Sequence, residues 1–194
     1  HNVTHSVFLE CHAMHRADGP EEMRPVGETE FVVGQAAISA SGSYGPAKIA
    51  HRIVGTANLL LGGAAAPVLE AHIAAGGGRF RGIRMSVAYC DAGMFGWAAN
   101  PEMKGLMTRP AFREGAGVLA SMGLRLDVWC CHRQLPELTQ LADSLPDLAI
   151  VLDHVGTPED RSDETRAEWA ALIRELARRP NVAVKLGGLG MDIT

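Results

Sequence analysis

Apolar residues along this chain fall into short continuous runs, separated by longer stretches where they recur every three or four positions. The continuous runs cover residues 3–11, 52–61, 80–87, 124–131, 148–155 and 182–186. Such runs, rich in Val, Ile and Leu with little alternation, predict strands buried on both faces, as in a parallel sheet. The three-to-four periodicity predicts helices over residues 28–41, 64–75, 110–122, 135–145 and 162–179. The last is the most clearly written. Ser162 can cap it, with Thr165 three residues on, and Trp169, Leu172, Ile173 and Leu176 form its apolar stripe. Arg178 and Arg179 suit its C-terminal end, and Pro180 stops it.

Strand and helix alternating in this way predict a parallel α/β fold. Two architectures compete: a closed (β/α)8 TIM barrel and an open doubly wound sheet. No glycine-rich phosphate loop follows the first strand, and no G-x-x-x-x-G-K-[ST] occurs. Gly76-Gly77-Gly78 precedes a strand and reads as a helix exit. The barrel is therefore the expected fold, with six of its eight βα units in this chain and residues 1–194 forming one partial-barrel domain. An open six-stranded arc would leave two apolar edges. The expectation is that two strands lie outside this sequence or that another chain, such as a second copy, covers the gap.

Charge and composition narrow the function. Eighteen Lys and Arg against 22 Asp and Glu give a net charge of -4 over 194 residues, which is no footprint for nucleic acid. The longest apolar stretch, residues 59–69, is broken by Gly62, Gly63 and Pro67 and is too short to span a membrane. Four cysteines, two of them adjacent at Cys130 and Cys131, do not make a disulfide scaffold. They read as free thiols of a reducing, cytoplasmic protein acting on a small molecule.

In parallel α/β barrels the chemistry sits at the carboxyl ends of the strands. Glu10-Cys11-His12 with His15, Asn58, Arg84 and Ser86, Cys130-Cys131-His132, Asp153-His154 and Lys185 all fall there. His132 and His154 are 22 residues apart, one βα unit, and are expected at matching heights facing one mouth. Imidazoles there could hold a metal or shuttle a proton; alternatively each caps its strand end with a hydrogen bond. Alternation sends Asp153 to the face opposite His154, which makes it structural. Arg84 could grip a substrate carboxylate, or pair with a neighbouring acid. Lys185 could form a Schiff base, or point outward to a helix carboxylate. The cysteine spacing does not fit a structural zinc site. Residues 89–107, with Gly93, Gly96, Pro101 and Gly105, read as a long loop whose Met94, Phe95 and Trp97 could cover a substrate or bury themselves.

Three segments together carry a resemblance: residues 126–135 (LDVWCCHRQL), 151–156 (VLDHVG) and 182–189 (VAVKLGGL), with Phe80-Arg81-Gly82-Ile83-Arg84 ahead of them. They resemble the amidohydrolase-related TIM-barrel hydrolases, the branch that includes 2-pyrone-4,6-dicarboxylate lactonase and sugar lactonases. The resemblance implies that the six strands are strands 2 to 7 of the barrel. It implies that His132 is a metal ligand, that His154 binds metal or handles protons, and that Arg84 contacts a substrate carboxylate. The cofactor implied is a divalent metal ion, zinc or manganese, although a metal-independent mechanism also occurs in this branch. The reaction implied is hydrolysis of a lactone, or a similar ester or amide, of a small anionic substrate. A metal-dependent decarboxylase of the same family and a non-catalytic barrel are the alternatives. The family's His-x-His pair and its last-strand acid match nothing in this sequence, so a protein of these residues alone is expected to be inactive.

Overall fold

The computed structural model describes residues 2–91 and 98–188. Six strands, β1 (His5–Leu9), β2 (Lys48–Gly55), β3 (Phe80–Ser86), β4 (Arg125–Trp129), β5 (Ala149–Leu152) and β6 (Val182–Val184), pair in parallel in sequence order. Five helices link them: α1 (Val26–Ala40), α2 (Ala66–Ala75), α3 (Pro110–Ser121), α4 (Leu135–Ser144) and α5 (Asp163–Leu176). The result is a curled half-barrel, the α/β architecture of a partial TIM barrel. Its two edges, β1 and β6, do not pair with each other, and Val7 and Val184 on them are about half exposed. No helix among the described residues is long and apolar enough to cross a membrane.

All six strands and five helices were legible as patterns, but two apolar runs divide differently. The run at 52–61 is strand only to Gly55, and the strand starts earlier, at Lys48. Leu59 to Ala65 form a tight 3-10 turn, opened by the Asn58 side chain accepting the Leu60 amide and kinked at Gly62 (φ 56°). Leu59 buries on α3 and Leu61 packs partly on the core, while Leu60 is exposed; Gly115 admits the Leu59 backbone, and a Cβ there would lie 2.4 Å from the Leu59 carbonyl oxygen. The run at 148–155 is strand to Leu152, then a turn over Asp153–Gly156 in which His154 and Val155 are both left-handed (φ 50° each). Hydrophobicity marks what is buried, and both segments are buried in turns rather than in the sheet.

The register sorts side chains onto two faces. Ile83, Leu126, Val128, Ile150 and Leu152 join Phe112, Leu119, Leu135, Leu138 and Leu141 in the core between sheet and helices. The alternate positions, Arg84, Asp127, Asp153 and Lys185, turn to the inner face of the curl. α5 begins as its sequence predicts, with the Ser162 hydroxyl accepting the Thr165 amide. In the helical layer, His72 on α2 is fully buried. Its Nδ1 lies 2.9 Å from Thr29 Oγ1, its Nε2 lies 3.0 Å from the Thr56 carbonyl oxygen, and its ring stacks on Phe80.

Candidate functional site

The inner face carries a row of charge. Arg84 on β3 donates from Nε to Glu10 Oε1 (2.8 Å) and from a guanidinium nitrogen to the Glu10 carbonyl oxygen (2.6 Å). Its other guanidinium nitrogen lies 3.8 Å from Asp153 Oδ2. Lys185, just past β6, donates to Asp127 Oδ2 at 2.5 Å and forms an ion pair with Asp153 Oδ1 at 2.7 Å. Exposed His12 adds a contact at 3.4 Å to Glu10 Oε2. Three carboxylates thus face two cations across five strand ends.

Burial makes this row costly. Glu10, Asp127 and Asp153 are 4%, 3% and 1% exposed, whereas Arg84 and Lys185 keep about a quarter and a third of their surface. Burial pushes the Asp127 carboxyl above the usual carboxylate range, against the pull of the Lys185 ammonium. Glu10 Oε2 and Asp153 Oδ2 are buried without a hydrogen-bond donor. Glu28 and Glu137 on the helices keep one such oxygen each, but among the described residues only on the inner face do unpartnered carboxylate oxygens gather beside part-exposed cations.

The fold explains why these side chains meet. Glu28, buried at the start of α1, accepts the Cys11 and Ala13 amides (2.9 and 3.0 Å) and pins the segment that leaves β1, next to Glu10. Gly27 lets that segment press on α1, since a Cβ would lie 2.6 Å from the Met14 carbonyl oxygen. Gln134 ties the ends of β3 and β4 together. It donates to the Val87 carbonyl oxygen and accepts the Tyr89 and Cys131 amides.

The histidine pair is placed differently from its expected matched heights. Register pairs Val128 with Leu152, so equal height on β4 and β5 needs a separation of 24 residues, not 22. His132 is fully buried in the turn before α4. Its Nδ1 accepts the Glu159 amide at 3.2 Å, and its Nε2 faces Glu168 of α5 at 3.4 Å. Both ring nitrogens are engaged on the helical side. His154 is part-exposed and stands edge-on to Trp129, with ring centroids 6.4 Å apart. Its Nδ1 is buried without a partner. Among the described residues no three His, Cys, Asp or Glu side chains converge as a metal site. At most two donors to the implied divalent ion come from His132 and His154, and the expected site takes its other ligands from elsewhere.

Asp153 corrects its structural assignment. β5 ends at Leu152, which faces the helices, so Asp153 turns inward, and the left-handed backbone at His154 breaks the alternation. Lys185 likewise pairs with sheet carboxylates of the inner face and not with a helix. Arg84 makes the ion pair with an acid that was one of its two readings, and keeps further donors on a part-exposed guanidinium. Asp127 was missed. Its signal was a lone carboxylate between Leu126 and Val128, in phase with the inner face. Burial pushes the Cys131 thiol up to about 12 and raises Cys130 as well, so neither offers a ready thiolate. Of the loop at 89–107, Leu106 and Met107 are core residues; Met94, Phe95 and Trp97 lie outside the described residues.

The sequence profile of the amidohydrolase family matches residues 44–193. The uncharacterized protein y4mH of Sinorhizobium fredii is 32% identical over 92% of this chain and 55% of its own length. An L-fucono-1,5-lactonase of Burkholderia multivorans is 38% identical over 40% of this chain and 28% of its own length. A crystal structure of an amidohydrolase from Burkholderia multivorans with bound zinc is 28% identical, with a TM-score of 0.64, over 84% of this chain and 50% of that one. The chain thus spans about half the length of relatives that it matches along most of its own.

Proposed function

The chain belongs to the amidohydrolase family, and from that premise we propose that it contributes the active site of a hydrolase that opens a small lactone ring. The six strands are then strands 2 to 7 of an eight-stranded barrel, and residues 1–194 are one part of that domain. The observation that carries the reading is the inner-face row in which buried Glu10, Asp127 and Asp153 meet part-exposed Arg84 and Lys185, in a chain with relatives named as L-fucono-1,5-lactonases.

The reaction adds the oxygen of water to the lactone carbonyl carbon and breaks the bond from that carbon to the ring oxygen. A proton leaves the water and ends on the ring oxygen. A barrel mouth lined by fixed charges can orient the lactone and stabilise the charge that develops on its carbonyl oxygen. His154, a part-exposed imidazole whose buried Nδ1 is unpartnered, would be the residue that exchanges a proton with the bound lactone. A divalent metal, where bound, would supply a Lewis acid and an activated water; His154, with its Nδ1 unpartnered, and His132 would be its candidate ligands in this chain.

A neutral lactone fits better than an anionic one. Arg84, the expected carboxylate grip, gives two of its five N–H donors to Glu10, and carboxylates outnumber cations in the row. The Schiff-base alternative loses its basis, because Lys185 is ion-paired with two carboxylates where a nucleophilic amine must be free.

The test uses the natural gene product that carries this chain, assayed against sugar 1,4- and 1,5-lactones, simple esters and carboxylic acids. Proton release with lactones, no loss of carbon dioxide from the acids and no borohydride trapping is the expected result. Decarboxylation without lactone hydrolysis would overturn it. Expressed by themselves, the 194 residues leave β1 and β6 unpaired and are expected to hydrolyse no lactone.

A further inference from the structure

The ammonium of Lys185 has three N–H donors. Asp127 takes one in a hydrogen bond, and Asp153 Oδ1 lies 2.7 Å from the nitrogen as an ion pair, without a hydrogen bond. The two carboxylates come from different strands and are almost wholly buried, so the nitrogen is held from two sides. Lys185 itself remains one-third exposed on the inner face. At least one donor is therefore left on the open side of a cation held between two carboxylates.

We propose that Lys185 is a catalytic residue that donates its remaining N–H to the carbonyl oxygen of the substrate, and that Asp127 is the residue that positions it. This rests on the lactone-hydrolase reading and adds its electrophile. As water adds to the carbonyl carbon, negative charge gathers on the carbonyl oxygen, and a donor already aimed there needs no reorganisation. Lys185 keeps its own proton throughout: it forms no covalent bond, and the water proton still ends on the ring oxygen. Asp153 has a double task, holding Lys185 on one side and facing Arg84 on the other.

Steady-state kinetics on the full gene product test this with Lys185→Arg, Lys185→Gln and Asp127→Asn. Lys185→Arg keeps a cation between the two carboxylates, so it guards against a variant that merely fails to fold; urea titration checks that each variant is folded. Lys185→Gln and Lys185→Arg are expected to lower kcat about 100-fold or more, the size of effect seen when an oxyanion donor is lost. KM should stay within about threefold, because the contact strengthens only in the transition state. Asp127→Asn should lower kcat about tenfold at unchanged KM and alter the pH profile of kcat, which a merely structural carboxylate would leave in place. Folded Lys185 variants with kcat/KM within about twofold of wild type would overturn the proposal while leaving the lactonase reading intact. A wild-type protein that hydrolyses no lactone would remove both.

Discussion

Two buried polar groups on opposite sides of the sheet are treated in opposite ways. On the helical side, His72 is completely buried, yet both ring nitrogens have partners and its ring is stacked on Phe80. On the inner side, Glu10 and Asp153 are as deeply buried and keep carboxylate oxygens without a donor, beside cations that reach solvent. A buried polar group whose hydrogen bonds are all made specifies packing. One that is left incomplete costs stability and marks a place kept for something else. By that measure His132, with both nitrogens engaged, belongs with His72, and His154 belongs with the charged row.

Removing the shared cation should give the largest effect. Lys185→Met takes the ammonium from two nearly dry carboxylates and should cost about 3 kcal/mol in a urea titration, toward the low end of such losses because Lys185 is part-exposed. A Lys185→Met protein as stable as wild type would break the comparison by showing the row to be well solvated.

The second effect is a pH dependence owed to His72. Burial holds its pKa down at about 4, against about 6.5 when unfolded. The unfolded chain therefore binds a proton that the native state refuses. The contribution is complete above pH 6.5 and is lost as pH falls toward 4, by roughly 3 kcal/mol in all. Stability curves of wild type and His72→Gln measured across that window should diverge toward neutral pH. Parallel curves would show that His72 is not held neutral by its site.

The smallest effect sharpens the contrast. Thr29→Val leaves His72 Nδ1 without its donor and should cost about 1.5 kcal/mol by the same titration, since an unmet buried acceptor carries its own desolvation penalty. A cost near zero would mean that satisfied and unsatisfied groups are energetically alike here.

The site was only partly legible. Glu10, Arg84, Asp153 and Lys185 stand out as charged residues at the ends of apolar strands, and each could be named from one dimension. Their pairing could not. Spacing of one βα unit put His132 level with His154, but helix and loop lengths do not set strand height; the hydrogen-bond register does, and it asks for 24 residues. Alternation put Asp153 outside because the strand was read through to residue 155, and a turn with two left-handed residues cannot be seen in hydrophobicity. Leu59 after Asn58 looked like strand for the same reason: burial in a turn and burial in a sheet select the same side chains.

The sequence by itself determined the alternation of six strands and five helices, the capping of α5 by Ser162 and the gathering of polar residues at strand ends. These follow from local periodicity and from chemistry between near neighbours. The tertiary structure alone decided that Arg84 meets Glu10, 74 residues away, and that Lys185 meets Asp127, 58 residues away. Those contacts depend on the register of each strand against the next and on the curl of the whole sheet, which sum over the entire chain and leave no mark at any one position.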